Sequence, residues 1–333
     1  MLGMGIWAAL ALAGAAPHTA EVKARGETVP VGTAAKDAAD DPAIWRNAAH
    51  PRRSLIVATD KQAGLYVYGL DGRVRDFSRD GRLNNVDLIE LGRGRVLVAA
   101  SDRNDKAHAQ IRLYWLDTQR AKLRPIGTVD GGAGEAYGIC LGRVGGLVQA
   151  YSVLKDGTVV QVGVTARRHA AQGTILRQMK LETQSEGCVV DHRTQTLFVG
   201  EEDRGIWAFD ARPNGATQGK LVAAVDGGQL VADVEGLAIL PKGKKGGWLI
   251  ASSQGDNAYA LYTLPDVKPA GRFRIAAGRF GATSDTDGIA AARGSFGRRY
   301  KGGLFVAQDG NNAPHAQNFK LVSWRDIRRQ IRP

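Results

Sequence analysis

Residues 186–211 read EGCVVDHRTQTLFVGEEDRGIWAFDA, three apolar runs separated by polar turns. An acid–glycine pair opens the first run (Glu186-Gly187-Cys188-Val189), LFVGEED (197–203) ends in three acids, and GIWAFDA (205–211) alternates around aromatics. Runs this short, with period-two alternation and turn residues between them, read as antiparallel strands. The same order recurs along the chain. Other first runs begin at Asp40-Asp41-Pro42-Ala43-Ile44, Asn85-Val86-Asp87-Leu88, Tyr137-Gly138-Ile139-Cys140, Glu235-Gly236-Leu237-Ala238 and Asp287-Gly288-Ile289-Ala290. From Asp41 onward the steps are 44, 52, 49, 49 and 52 residues.

A second run such as LIVATD (55–60) or VLVAASD (96–102) follows each time, then a third such as GLYVYGL (64–70) or AYALYTL (258–264). Fourth runs stand at RVRDFSR (73–79), TILRQMKL (174–181), KLVAAVD (220–226) and AGRFRIA (270–276). The last repeat has none, and VKARGETVPV (22–31) is placed to supply it. Four antiparallel strands per repeat, six times over, with an N-terminal strand closing the last blade, describe an all-β six-bladed β-propeller. An open array or two sandwiches would not need the missing strand.

Composition agrees. The 333 residues are 44% apolar and 23% charged, with 43 Gly and 11 Pro, which excludes disordered, collagenous and coiled-coil classes. The net charge of +12 points to a polyanionic partner: nucleic acid, an acidic membrane surface or a phosphorylated small molecule. Cys140 and Cys188 are too few for a disulfide framework and lack zinc spacing. They read as buried thiols in preference to a single bridge. Ile6 to Ala16 is an Ala-rich apolar run too short to span a bilayer, although no Lys or Arg precedes it. Residues 1–20 are therefore expected to be an export signal, and 21–333 a single propeller in the periplasm or outside the cell, without membrane insertion.

In such a blade the start of the first strand and the end of the second share one end. That brings Asp40, Asp41, Asp87, Glu186, Asp233, Glu235, Asp285 and Asp287 to one mouth with Glu201, Glu202, Asp203 and Asp309. So many carboxylates would raise one another's pKa unless a cation joined them. With Asn84, Asn85 and Asn311 the donors are all oxygen, which suits Ca²⁺ better than zinc or copper. The six His lie in loops without ligand spacing. Lys61, Arg103, Lys155 and Arg204 are interleaved with the acids. Metals and fixed cations in one mouth suit a small molecule bearing several phosphates. No GxSxG elbow, P-loop or phosphatase Cys signature is present.

The markers DAADDPAIW (37–45), LNNVD (83–87), AYGICL (136–141), QSEG (184–187), EEDRGIWAFDA (201–211), ADVEGL (232–237), TSDTDGI (283–289), LFVAQDG (304–310) and QNFKLVSW (317–324) carry a resemblance. From about Thr33 to Trp324 the chain resembles the β-propeller phytases, calcium-dependent alkaline phytases of bacteria. That resemblance implies hydrolysis of phytate, myo-inositol hexakisphosphate, by attack of a metal-activated water, with a cleavage subsite beside an affinity subsite. It implies catalytic calcium ligands at Asp41, Glu186, Glu202, Asp233, Glu235 and Asp287, with Asp40 and Glu201 also in the metal set. Phosphate contacts fall on Lys61, Arg103, Tyr137 and Lys155. The chain departs from the family at Gln62, where a second Lys is usual, and at Gly281, where an Asp is usual. The latter belongs to a structural calcium shared with the loop of Asp309 and Asn311. A propeller lactonase or a non-enzymatic polyanion binder are the other functional classes in play. Arg325 to Arg332 reads as a solvated tail rather than a nucleic-acid arm, and a monomer without nucleic-acid partner is expected. A non-basic face opposite the mouth would argue further against nucleic acid.

Overall fold

A computed structural model describes residues 18–34 and 37–331. Six antiparallel sheets contain four blade strands each. Their innermost strands are Ala39–Trp45, Leu83–Glu90, Ala136–Val144, Ser185–Asp191, Val234–Lys242 and Ile289–Arg293, one per repeat. The propeller follows. Six apolar clusters fill the wedges between neighbouring blades; Ala43, Val57 and Leu65 of blade one, for instance, pack with Val96, Val98 and Tyr114 of blade two. Each sheet buries both faces, which is why its middle strands run apolar with little alternation.

Gly26–Glu27 pairs antiparallel with Asn318–Ser323, so the N-terminal segment closes the last blade as expected. Just before it, Thr19–Lys23 adds a fifth, parallel strand to the outer edge of blade five. The chain thus ties two neighbouring blades together before the first repeat begins. The expected leader falls on residues 1–17, outside the described residues, and on Thr19 and Ala20, which already belong to this strand. Blade two has an outer strand, Lys122–Ala133, that the sequence reading does not name. Bulges at Pro125/Gly127 and Asp130/Gly132 break its alternation and hide it.

Two expectations are corrected. Cys140 and Cys188 form a disulfide rather than standing as free thiols. They occupy equivalent positions in the inner strands of blades three and four, with Cα atoms 5.7 Å apart, within bridging range. The basic C-terminus is a helix, Trp324–Gln330, and not a solvated tail. Trp324 and Ile327 are buried against blade five, the Arg328 guanidinium stacks 4.5 Å from the Trp248 ring, and Arg25 donates to Asp326. Arg332 lies outside the described residues.

Candidate functional site: a carboxylate-lined channel mouth

Five of the six inner strands carry a register shift near their mouth end, between Ala39/Pro42, Leu83/Val86, Ala136/Gly138, Ser185/Cys188 and Val234/Leu237. The residues caught in the shifts are Asp40-Asp41, Asn84-Asn85, Tyr137, Glu186-Gly187 and Glu235-Gly236. A bulge leaves a residue unpaired and re-aims its side chain. Here the repeated bulge lies at the residues that gather at the mouth. The acid–glycine pairs have a second cause. A Cβ on Gly138, Gly187 or Gly236 would sit 1.9, 2.2 or 2.7 Å from the carbonyl oxygen of Glu186, Glu235 or Asp287 in the next blade. Only glycine lets adjacent inner strands approach this closely.

Glu186, Glu202 and Glu235 are buried and present carboxylate oxygens that all lie within 4.8 Å of one another. Asn84 Nδ2 donates to Glu186 Oε1 at 2.9 Å, and the Asn85 amide, turned nitrogen-first, donates to the same oxygen at 2.7 Å. Gln184 donates to Glu202 at 2.7 Å and to the Tyr137 hydroxyl at 3.2 Å. The other half of the mouth is built around Lys61. Its buried ammonium contacts Asp37 at 2.7 Å, Asp287 at 2.9 Å and Asp40 at 3.4 Å. Gln254 donates to the second Asp287 oxygen at 2.7 Å. Asp41 accepts the Val86 amide at 3.1 Å, which locks blade one to blade two.

Burial dominates the electrostatics. Loss of water, then neighbouring like charge, pushes the carboxyls of Asp40, Asp41 and Glu235 well above the usual range. Burial also raises Glu186, and it lifts Glu202 to about 7. Asp233, half-buried beside Asp203, is raised by the same cause. Burial opposes charge on Lys61, but Asp40, Asp287, Glu186 and Asp37 outweigh it and hold the ammonium charged. Buried acceptors are nearly always hydrogen-bonded. Yet Glu235 Oε2 and Asn84 Oδ1 have no hydrogen-bond donor among the described residues, and Asp40 Oδ1 has only the Lys61 ammonium at 3.4 Å. An all-oxygen set of buried carboxylates with unsatisfied lone pairs is the donor chemistry of a hard divalent cation.

Other expected site residues fall elsewhere. Both Glu201 oxygens are taken, one by the Thr183 amide and hydroxyl (2.7 and 2.9 Å) and the other by Trp207 Nε1 (2.8 Å). Its carboxylate braces blade four. Asp309 pairs at 3.1 Å with Lys320, a fully buried lysine that also reaches Asn312 and Asn318 at 3.0 Å and Glu27 at 2.6 Å. The Asn311 backbone N–H donates to Asp309 at 3.3 Å. A Cβ at Gly281 would lie 3.6 Å from the Lys320 ammonium, so the loop expected to hold a structural calcium already contains a fixed cation. Asp87 sits deeper in the channel, where its carboxylate accepts the Leu141 amide at 2.7 Å; burial raises it to about 6. Of the expected phosphate contacts, Lys155 lies 5.3 Å over the Tyr137 ring and Arg103 faces Glu135 at 3.8 Å, both at the rim. Gln184, Gln254 and Asp37 escape sequence reasoning, because amides and a loop Asp have no periodic signature.

The fold and this mouth define a class: a closed six-bladed propeller with a polar, cation-ready site at one end of its channel and none of the sequence signatures of a covalent nucleophile. Comparison with known proteins narrows it. A sequence profile described as "Phytase" matches residues 2–332. A protein of Bacillus subtilis (strain 168) named 3-phytase is 37% identical over 332 residues, covering 94% of this chain and 86% of that protein. The chain belongs to the phytase family.

Proposed function

We infer that this protein is a phosphoric monoester hydrolase that removes phosphate from phytate, and that it works with calcium at the channel mouth. Family membership supports the reaction. One structural observation carries the cation: three glutamate carboxylates within 4.8 Å, with Glu235 Oε2 buried and undonated among the described residues. Glu186, Glu202, Glu235, Asp41, Asp233 and Asp287 would hold calcium ions, with Asp40 beside them. A bound divalent ion supplies charge to phosphate oxygens and lowers the pKa of water.

The chain's own groups do the rest. Gln184 and Gln254 fix the carboxylate orientations, and Asn84 and Asn85 hold Glu186. Arg103, Lys155 and the Tyr137 hydroxyl, at the rim, suit the phosphates flanking the one attacked. Lys61 neutralises Asp37, Asp40 and Asp287 and so limits how many charges the ions must balance. No helix among the described residues is long and apolar enough to cross a membrane. Export and a monomeric state complete the proposal.

Phosphate release from phytate is to be measured with calcium, with a chelator, and after calcium is restored, alongside metal counting on the dialysed protein. Release that depends on calcium and recovers with it is expected. Undiminished release from metal-free protein would remove calcium from the reaction, and no release under any condition would remove the activity itself.

A further inference from the structure

The basic charge of the chain is concentrated on one face. First-to-second and third-to-fourth strand turns leave each blade on the side opposite the mouth. Those connections carry sixteen Lys and Arg against two Asp and no Glu. Among the described residues, the connections on the mouth side carry seven Lys and Arg against thirteen Asp and Glu. The C-terminal helix adds Arg325, Arg328 and Arg329 to the basic side.

All six blades contribute, so the cations cover a broad face and do not follow a track. Between blades two and three this face opens into a cleft of about 550 Å³, with Trp115 in its wall and Arg93, Arg95, Arg167 and Arg168 around it. The neighbouring Arg124 is paired with Asp117, but those four arginines form no ion pair among the described residues. Two apolar side chains stand out beside the turns: Leu147 is 58% exposed and Val74 41%.

We propose that this face docks on an anionic phospholipid bilayer and holds the acidic mouth away from it, toward dissolved substrate. A plane of cations with a few exposed aliphatic tips matches a lipid headgroup surface, to which each Lys or Arg adds attraction within a Debye length. The cleft is large enough for a headgroup phosphate held by several guanidiniums. Single-stranded nucleic acid would use aromatic stacking platforms. The aromatics within these turns, Phe296 and Tyr300, are 1% exposed, which leaves the half-buried Trp115 in the cleft wall, a lone ring and no series of stacking platforms.

The full chain is to be sedimented, with chelator present so that calcium cannot bridge lipid to the mouth, against phosphatidylcholine vesicles with and without phosphatidylglycerol. Binding is expected only with phosphatidylglycerol, with loss on raising salt from about 0.05 to 0.5 M. The quadruple variant Arg93→Glu/Arg95→Glu/Arg167→Glu/Arg168→Glu should bind at least about a hundredfold more weakly, with its kcat/KM on phytate unchanged. If that variant does not fold, Arg52→Glu/Arg53→Glu on the same face provides the same test with a smaller loss. Absent wild-type binding, variants that bind as well as wild type, or displacement of the protein by phytate would each overturn the proposal. Preferential binding to duplex DNA over the vesicles would assign the face to nucleic acid instead.

Discussion

Replacing Glu235 by Gln should move stability and activity in opposite directions. At an effective dielectric of about 20, two unit charges within 4.8 Å of each other repel by about 3.5 kcal/mol or more. Glu235 faces two such neighbours, Glu186 and Glu202, so the repulsion is about 7 kcal/mol for the calcium-free protein with all three ionised. Proton uptake lowers that figure. With Glu202 held up to about 7, ionising it in the fold costs roughly 3 kcal/mol more than in the unfolded chain, and its partial exposure reduces this further. Removing one charge should therefore stabilise calcium-free protein at pH 7.5 by about 1–3 kcal/mol, a rise in Tm of roughly 2–8 °C. The amide keeps the shape of the carboxylate and leaves no new cavity.

With calcium the expected result reverses. The wild type should gain Tm on adding the ion, and Glu235→Gln should gain much less, because a carboxylate with an undonated oxygen has been lost from the cage. Phytate turnover should fall at least about a hundredfold, the scale of a disrupted metal site. Differential scanning fluorimetry with and without chelator, beside a phosphate-release assay, reads both effects. A variant less stable than wild type without calcium would show that the three carboxylates do not repel as the geometry requires. An undiminished calcium shift would place the ion elsewhere.

Calcium-free wild type should lose stability as pH rises from about 4.5 to 7: Glu202 is raised by burial, the folded chain binds more protons than the unfolded across that window, and stability declines as they leave. Chelated denaturation midpoints at several pH values check this, and calcium should reverse the trend by competing best where the carboxylates are ionised. Gly187→Ala would put a Cβ 2.2 Å from the Glu235 carbonyl, so urea denaturation should show a loss of about 2–3 kcal/mol, accompanied by weakened turnover as the mouth shifts. Cys140→Ala/Cys188→Ala opens a loop with a sequence separation of 48 and should cost about 4 kcal/mol in the chain-entropy account, with reduced wild type falling to the same midpoint.

The repeat was legible because each blade must bury two faces and turn at fixed intervals. Apolar runs and acid–glycine pairs therefore recur in step with the geometry. The mouth was legible for the same reason: Asp41, Glu186, Glu235 and Asp287 share one place in the repeat. The roles of individual carboxylates were not. Glu201 and Glu202 are adjacent in sequence, yet the alternation of the strand end sends one to Thr183 and Trp207 and the other into the channel. Lys61 is among the expected phosphate contacts; what its local sequence does not show is that its ammonium is buried against three aspartates, an arrangement set by Asp37 and Asp287 from other parts of the chain. The disulfide and the parallel strand Thr19–Lys23 depend on distances between blades, which no local pattern reports.

The same separation of charge explains how an acidic site can serve an anionic substrate. Without a cation, the mouth would repel phytate at short range, and the +12 of the whole chain would only draw it toward the wrong face. Burial makes that repulsion costly to the protein itself, since Glu235 keeps a buried oxygen with no hydrogen-bond donor among the described residues. On the proposed reading, calcium relieves both conflicts at once by balancing the buried carboxylates and turning the mouth attractive to phosphate. Lys61 accounts for three of the acids, leaving Glu186, Glu202 and Glu235 as the group with no ion pair to a side-chain cation among the described residues. A site designed only to bind a polyanion would have placed lysines there. Carboxylates make sense at that position when an exchangeable ion, able to act on water, is what the mouth is built to hold.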